Sequence, residues 1–260
     1  MQPPYVYHPE RGLRNLLLGR VLLKEDLSAG TSILPVGSEF SDNLVGANIP
    51  GACLFYNYSS KATLVQPGSS DTPDDIEHLE DVTLVSVAAN DLHVTSDAPV
   101  TKDYTVERGA YLQLKTRPAV CSKLKFVERD FTDSLEVQFP DDKFPAAVVF
   151  QYNSERRPHS STTYEDLFYF VVRYGVIMAP TWRDTLRQDI EDLAALISAD
   201  PYLGGTCWYA EMTKPCQLNP TPGRNAQGMV KTTHDHRVDW GDIYITAHRL
   251  AVVDKISNFA

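Results

Sequence analysis

Residues 164–209 constrain the fold most, because hydrophobic periodicity switches there from strand to helix and back. Tyr164–Pro180 (YEDLFYFVVRYGVIMAP) is dense in aromatic and β-branched residues, which suit a pleated surface, and reads as a long strand. Thr181–Ala199 (TWRDTLRQDIEDLAALISA) has helical spacing. Leu186, Ile190, Leu193, Ala194 and Ile197 fall on one face, leaving Arg183, Arg187, Asp189 and Glu191 nearer solvent. Thr181 is placed to cap this helix, with Asp184 three residues on as in a capping box. Acidic residues in its first half suit the macrodipole. Such a helix is ~25 Å long, enough to cover several strands. Asp200–Gly205 (DPYLGG) breaks it, and Thr206–Met212 (TCWYAEM) returns to strand chemistry.

Both faces of the long strand are apolar. Phe168, Phe170, Val172, Tyr174 and Val176 lie on one side; Leu167, Tyr169, Val171 and Ile177 lie on the other. One helix covers one face. The other needs the N-terminal β-module or a neighbouring subunit, and the expectation is a neighbour, since exposed apolar sheet faces mark interaction surfaces. The interface candidates are Phe168, Phe170, Val172 and Tyr174 on the strand, Trp182 and Arg187 on the helix, and Arg156 and Arg157 in the polar stretch before it.

The first half of the chain is punctuated differently. Gly12–Leu23 is an ambiguous apolar run whose later half leans towards strand. Leu27–Val36 and Ala52–Tyr58 read as short β runs, and Gln66–Asp75 as a loop. Val82–Ala88 and Leu92–Thr95 read as a hairpin, and Gly109–Leu114 as a closing strand; Ile76–Leu79 is expected to form at most a single helical turn. The spacing predicts a small β-barrel or sandwich. The domain reading is an N-terminal arm over 1–18, the β-module over 19–127 and an α+β domain over 128–260. In the last of these, Phe144–Tyr152 is a strand and Asn153–Thr163 a hairpin-like loop. Lys214–Asn225 is a Pro/Gly loop, followed by strands over Met229–His236 and Asp242–Val253, turned by Val238–Gly241. Ile243, Ile245 and Ala247 share one face of the last strand; Tyr244, Thr246 and His248 share the other. The whole is an antiparallel or mixed sheet covered by one principal helix.

Composition narrows the function. The formal charge is −10. The part up to Val127 holds 11 basic and 15 acidic residues and the remainder 13 and 19, so neither half carries the basic excess of a dedicated nucleic-acid grip. MQPPYVYHPERG lacks the features of a secretory leader, and no apolar run approaches the ~20 residues of a membrane span. Cys53, Cys121, Cys207 and Cys216 are few and scattered, and read as free thiols. His234-Asp235-His236 with Cys207 and Cys216 does not match usual zinc spacing, so no metal and no cofactor is expected. Asp133, Glu136, Asp141 and Asp142 read as a solvated acidic loop rather than a hydrolytic pair. Ser160-Ser161 beside His159 lacks a nucleophile elbow. No catalytic residue set emerges, and the chain is read as a non-enzyme.

Two stretches carry a family resemblance. FPAAVVF (Phe144–Phe150), YFVVRYGVI (Tyr169–Ile177), LRQDIEDLAALI (Leu186–Ile197), DPYLGG (Asp200–Gly205) and IYITAHRLAVVD (Ile243–Asp254) resemble, in that order, tail-terminator (tail-completion) proteins of tailed bacteriophages. The segment from LSAGTSILPV to GAYLQL is similar to small β-modules of phage neck and baseplate proteins. One departure is that the family commonly opens with a helix before the first strand, whereas Arg117–Asp142 carries only a weak helical signal. The resemblance implies a structural virion protein forming a closed ring, commonly a hexamer. Such a ring ends tail polymerisation, touches tail tube or sheath proteins and head-connector proteins, and lets genomic DNA pass through its lumen without sequence-specific binding. It implies assembly in the host cytoplasm, residence in the virion neck and no membrane partner. Alternatives are another neck or baseplate adaptor, or a carbohydrate- or receptor-binding module built on Trp182, Trp208, Trp240 and the tyrosines.

Overall fold

The structure is a computed structural model and describes residues 8–36, 61–68, 75–87, 93–115, 119–128, 141–177, 182–218 and 238–252. The expected runs Ala52–Tyr58 and Met229–His236, the cap Thr181, and Asp133, Glu136, His234, Asp235 and His236 lie outside them. The fold is mixed α+β with mostly antiparallel sheets. The chain divides into two compact units: residues 15–122 with 1–6, and 123–260 with 7–14. The boundary thus falls just before the one expected at 127. Within the stretch expected as an N-terminal arm, Pro9–Leu18 forms helix α1, which ends at Gly19, whose φ is +67°.

The first unit is a curled, half-barrel sheet in the order β1-β6-β3-β4-β5-β2. Its strands are β1 (Arg20–Leu22), β2 (Ile33–Pro35), β3 (Lys61–Pro67), β4 (Ile76–Val87), β5 (His93–Ser96) and β6 (Tyr111–Leu114). All pairs are antiparallel. The curl brings the two edge strands together, where Lys24 N–H donates to the Pro35 carbonyl at 2.8 Å. Alternation in β3 and β6 sends Ala62, Leu64, Leu112 and Leu114 inward, onto Leu23, Leu34, Val94 and Tyr104. Two local readings fail here. Ile76–Leu79 is not a helical turn but the start of β4, and Gln66 and Pro67 complete β3 rather than opening a loop. In both cases long-range pairing between β3 and β4 overrides a weak local signal.

The second unit holds a five-stranded sheet in the order β10-β11-β9-β8-β7. Its elements are α2 (Ala119–Lys123, shared at the boundary), β7 (Phe126–Glu128), β8 (Ala146–Pro158), β9 (Thr163–Ile177), α3 (Trp182–Ala199), β10 (Tyr209–Leu218) and β11 (Val238–Val252). Only β7 and β8 run parallel. The apolar stripe of α3 is buried as its spacing predicts, and each such Leu or Ile stabilises the fold by about 1.5–3 kcal/mol. Three boundaries move outward. Asn153–Pro158 is strand, so that Arg156 and Arg157 belong to β8; Lys214–Leu218 is strand, with two register shifts; and β11 already starts at Val238. These polar ends are extended because a neighbouring strand completes their hydrogen bonds, which local composition does not reveal.

The DPYLGG segment is a left-handed turn. Leu203, Gly204 and Gly205 all have positive φ, and the buried Asp200 carboxylate accepts from the N–H groups of Tyr202 (3.2 Å) and Gly204 (2.8 Å). A Cβ on Gly12 would stand 2.3 Å from both the Leu203 carbonyl oxygen and Thr206 Oγ1, so this glycine lets the start of α1 seat on the turn.

Candidate interaction surface

Cross-strand register assigns the paired side chains of the second sheet to its two faces. On the helix face Ala147, Val149, Phe170, Val172, Tyr174, Ile243, Ile245 and Ala247 are buried, with α3 packed over them. Tyr174 Oη donates to Asp189 Oδ2 at 2.7 Å. Asp189, expected nearer solvent, is 1% exposed; its other oxygen accepts from Lys123 Nζ at 2.5 Å, so the carboxylate is buried with two donors. His8 meets Phe168 and Phe170 edge-on, at centroid separations of 4.9 and 5.9 Å.

This corrects the choice of interface residues on the strand. Phe170, Val172 and Tyr174 are buried within the chain and present nothing to a partner, and Phe168 is half-buried beside His8. Both faces of β9 carry apolar residues, and sequence alone does not say which of them the helix takes.

The opposite face is also largely buried, at Val148, Leu167, Val171, Trp240 and Thr246, and its exposure on the β8 side is confined to a patch around Tyr152. Tyr152 is 47% exposed, with its ring 6.0 Å from Tyr169 and 6.5 Å from Tyr244. Phe150, Tyr169 and Tyr244 beside it are half-buried. Arg173 Nε and Nη2 each lie 2.7 Å from an oxygen of Asp242, a bidentate pair, and the guanidinium sits 5.6 Å from the Phe150 ring centroid. The Asp242 carboxylate, outweighing a smaller burial cost, holds Arg173 protonated above its ordinary range. Lys214 Nζ lies 4.9 Å over Tyr244, and His248 Nδ1 is 2.8 Å from Glu165 Oε1. At one end of this face Trp240 is buried against Phe144, and its ring occupies the space a Cβ on Gly175 would need.

Beyond Val149, β8 is exposed or half-exposed, and it forms a hairpin with the outer half of β9. Arg156 binds Asp166 through two bonds of 2.5 and 2.8 Å, and Arg157 pairs with Glu155, which also accepts from Tyr169 Oη at 2.6 Å. Both arginines are thus engaged by their own hairpin. Trp182 is half-buried under Arg183, whereas Arg187 is exposed on the outward side of α3 and makes no ion pair among the described residues.

Among the described residues no group of three or more His, Cys, Asp and Glu is arranged to hold a metal. Cys121 and Cys207 are buried free thiols; Cys216 is half-buried, and burial raises its pKa. Trp240 belongs to the interior, which removes it from any exposed aromatic platform. No helix of the described residues is long and apolar enough to cross a membrane. Tyr152, Tyr169 and Tyr244 were missed as a group because they lie on three different strands; the strand alternation noted for Tyr169 and Tyr244 was the available signal. No protein-family model matches the sequence, and no curated protein does.

Proposed function

We propose that the chain is a structural protein of a tailed-phage virion, a ring-forming tail terminator that ends tail polymerisation and joins the tail to the head connector. The observation that carries this reading is the order of parts in the second unit: long strand β9, helix α3, the left-handed Asp200–Gly205 turn, then strand β10. That order is the one in which the sequence resembles the family. The work of such a protein is self-assembly, and its partners are further copies, tail tube or sheath proteins and connector proteins. The net charge of −10 suits a lumen that passes DNA without holding it, since acidic walls repel phosphate. A different layer of the neck or baseplate is the second reading, favoured by the separate β-unit of residues 15–122.

The test is to add purified chain to growing tail tubes and image them. Tubes of bounded length with a ring at one end support the reading. A chain that leaves tube growth unaltered overturns it.

A further inference from the structure

Three strands bring a histidine and two glutamates together at the outer end of the second sheet. Register sets Tyr209 of β10 opposite His248 of β11 and Glu211 opposite Thr246, and alternation along β9 puts Glu165 on the same face. His248 Nδ1 lies 2.8 Å from Glu165 Oε1. An ionised carboxylate only accepts, so Nδ1 carries the proton of the neutral ring and Nε2 keeps its lone pair.

That Nε2 is buried and has no hydrogen-bond partner among the described residues; Glu211 Oε1 stands 3.7 Å from it. Thr246, two residues before His248 and 2% exposed, has a hydroxyl that is likewise buried and unpartnered. Native interiors rarely strand such atoms, and here two fall on one face of one strand.

A second ring proton does not close the gap to Glu211. Hydrogen bonds of this kind span about 2.7–3.2 Å, and 3.7 Å lies beyond that range. A divalent metal does close it. Zinc takes a histidine nitrogen at about 2.0–2.1 Å and a carboxylate oxygen at about 2.0–2.2 Å, which sets the two ligands about 3.4–3.7 Å apart for angles from tetrahedral to about 125°. A carboxylate on the other ring nitrogen is the common outer partner of a metal-bound histidine, where it fixes the ring and raises its basicity. The Glu211 side chain is 47% exposed, which leaves an entry path and room for water ligands.

We propose that His248 and Glu211 hold a divalent transition metal such as zinc, with Glu165 positioning the His248 ring and water in the remaining coordination positions. The metal ties β10 to β11 at the regular end of an edge strand whose other end carries two register shifts. The donors sit on three strands, so no spacing motif announces them. This inference is independent of the ring reading.

The experiment is calorimetric titration of zinc into the full chain after chelator treatment, alongside His248→Ala, Glu211→Gln and Glu165→Gln, each checked for native circular dichroism. Thermal melts with and without zinc accompany it. The unmodified chain is expected to bind zinc and to melt higher with it. His248→Ala is expected to lose that binding and that rise in melting temperature. Glu211→Gln is expected to bind at least about tenfold more weakly, and Glu165→Gln about tenfold to a hundredfold more weakly with its fold intact. Zinc held elsewhere on the chain survives His248→Ala and is separated in that way. A chain that takes up no zinc at millimolar concentration, or zinc binding that His248→Ala and Glu211→Gln leave unaltered, overturns the inference.

Discussion

The δ1 methyl of Ile190 lies 1.5 Å from the point where a Cβ on Gly241 would stand. The absence of that one carbon lets α3 settle onto β11. Gly241→Ala is expected to destabilise the chain by about 1–3 kcal/mol, the range for overpacking a filled core. Urea unfolding measures it, and Ile190→Ala added to Gly241→Ala should cost less than its own penalty in the native background, because the two groups compete for the same space.

Asp189 and Tyr174 give a second prediction. Asp189→Ala removes the buried acceptor of the Tyr174 hydroxyl and the partner of Lys123. The expected loss is about 1–3 kcal/mol, the cost of stranding a buried donor. Asp189→Asn keeps an acceptor for Tyr174 and should fall between native and Ala in the same unfolding series.

Tyr104 in the first unit predicts alkaline sensitivity. Burial, then the Glu80 charge and hydrogen bond, push its phenol well above the ordinary value. The folded state thus favours the protonated ring. That contribution is fully present below the unfolded pKa of about 10 and is lost as pH rises beyond it. Stability measured at increasing alkaline pH should fall, and Tyr104→Phe should fall less steeply while costing about 1 kcal/mol at neutral pH.

Asp239 predicts the same sense of linkage at lower pH. Burial raises its carboxyl pKa, outweighing the Trp240 N–H bond and the charge of Arg183, which lower it. Its Oδ2 is buried with no hydrogen-bond partner among the described residues. The folded state favours the neutral carboxyl, so stability is lost as pH rises through the folded pKa. Asp239→Asn should raise the urea midpoint at pH 7, with the gain shrinking as pH falls towards the ordinary carboxyl value of 3.8.

Local physics wrote much of this fold into the sequence. The aromatic run of β9, the Leu186–Ile197 stripe of α3 and the Asp200–Gly205 breaker each fix their own backbone through side-chain spacing or glycine conformation, and all three stand where the sequence places them. The alternation of Ile243, Ile245 and Ala247 also marked a buried face correctly. Tertiary structure decided what spacing leaves symmetrical. On the face of β9 that meets α3, Tyr174 reaches Asp189 and Gly241 admits Ile190, contacts that exist only once helix and sheet have packed together. That choice put Phe170, Val172 and Tyr174 under α3 and Tyr152, Tyr169 and Tyr244 on the other side. Strand pairing together with the irregularity at Tyr152 brings those three rings together, because each sits on its own strand and no local pattern links them.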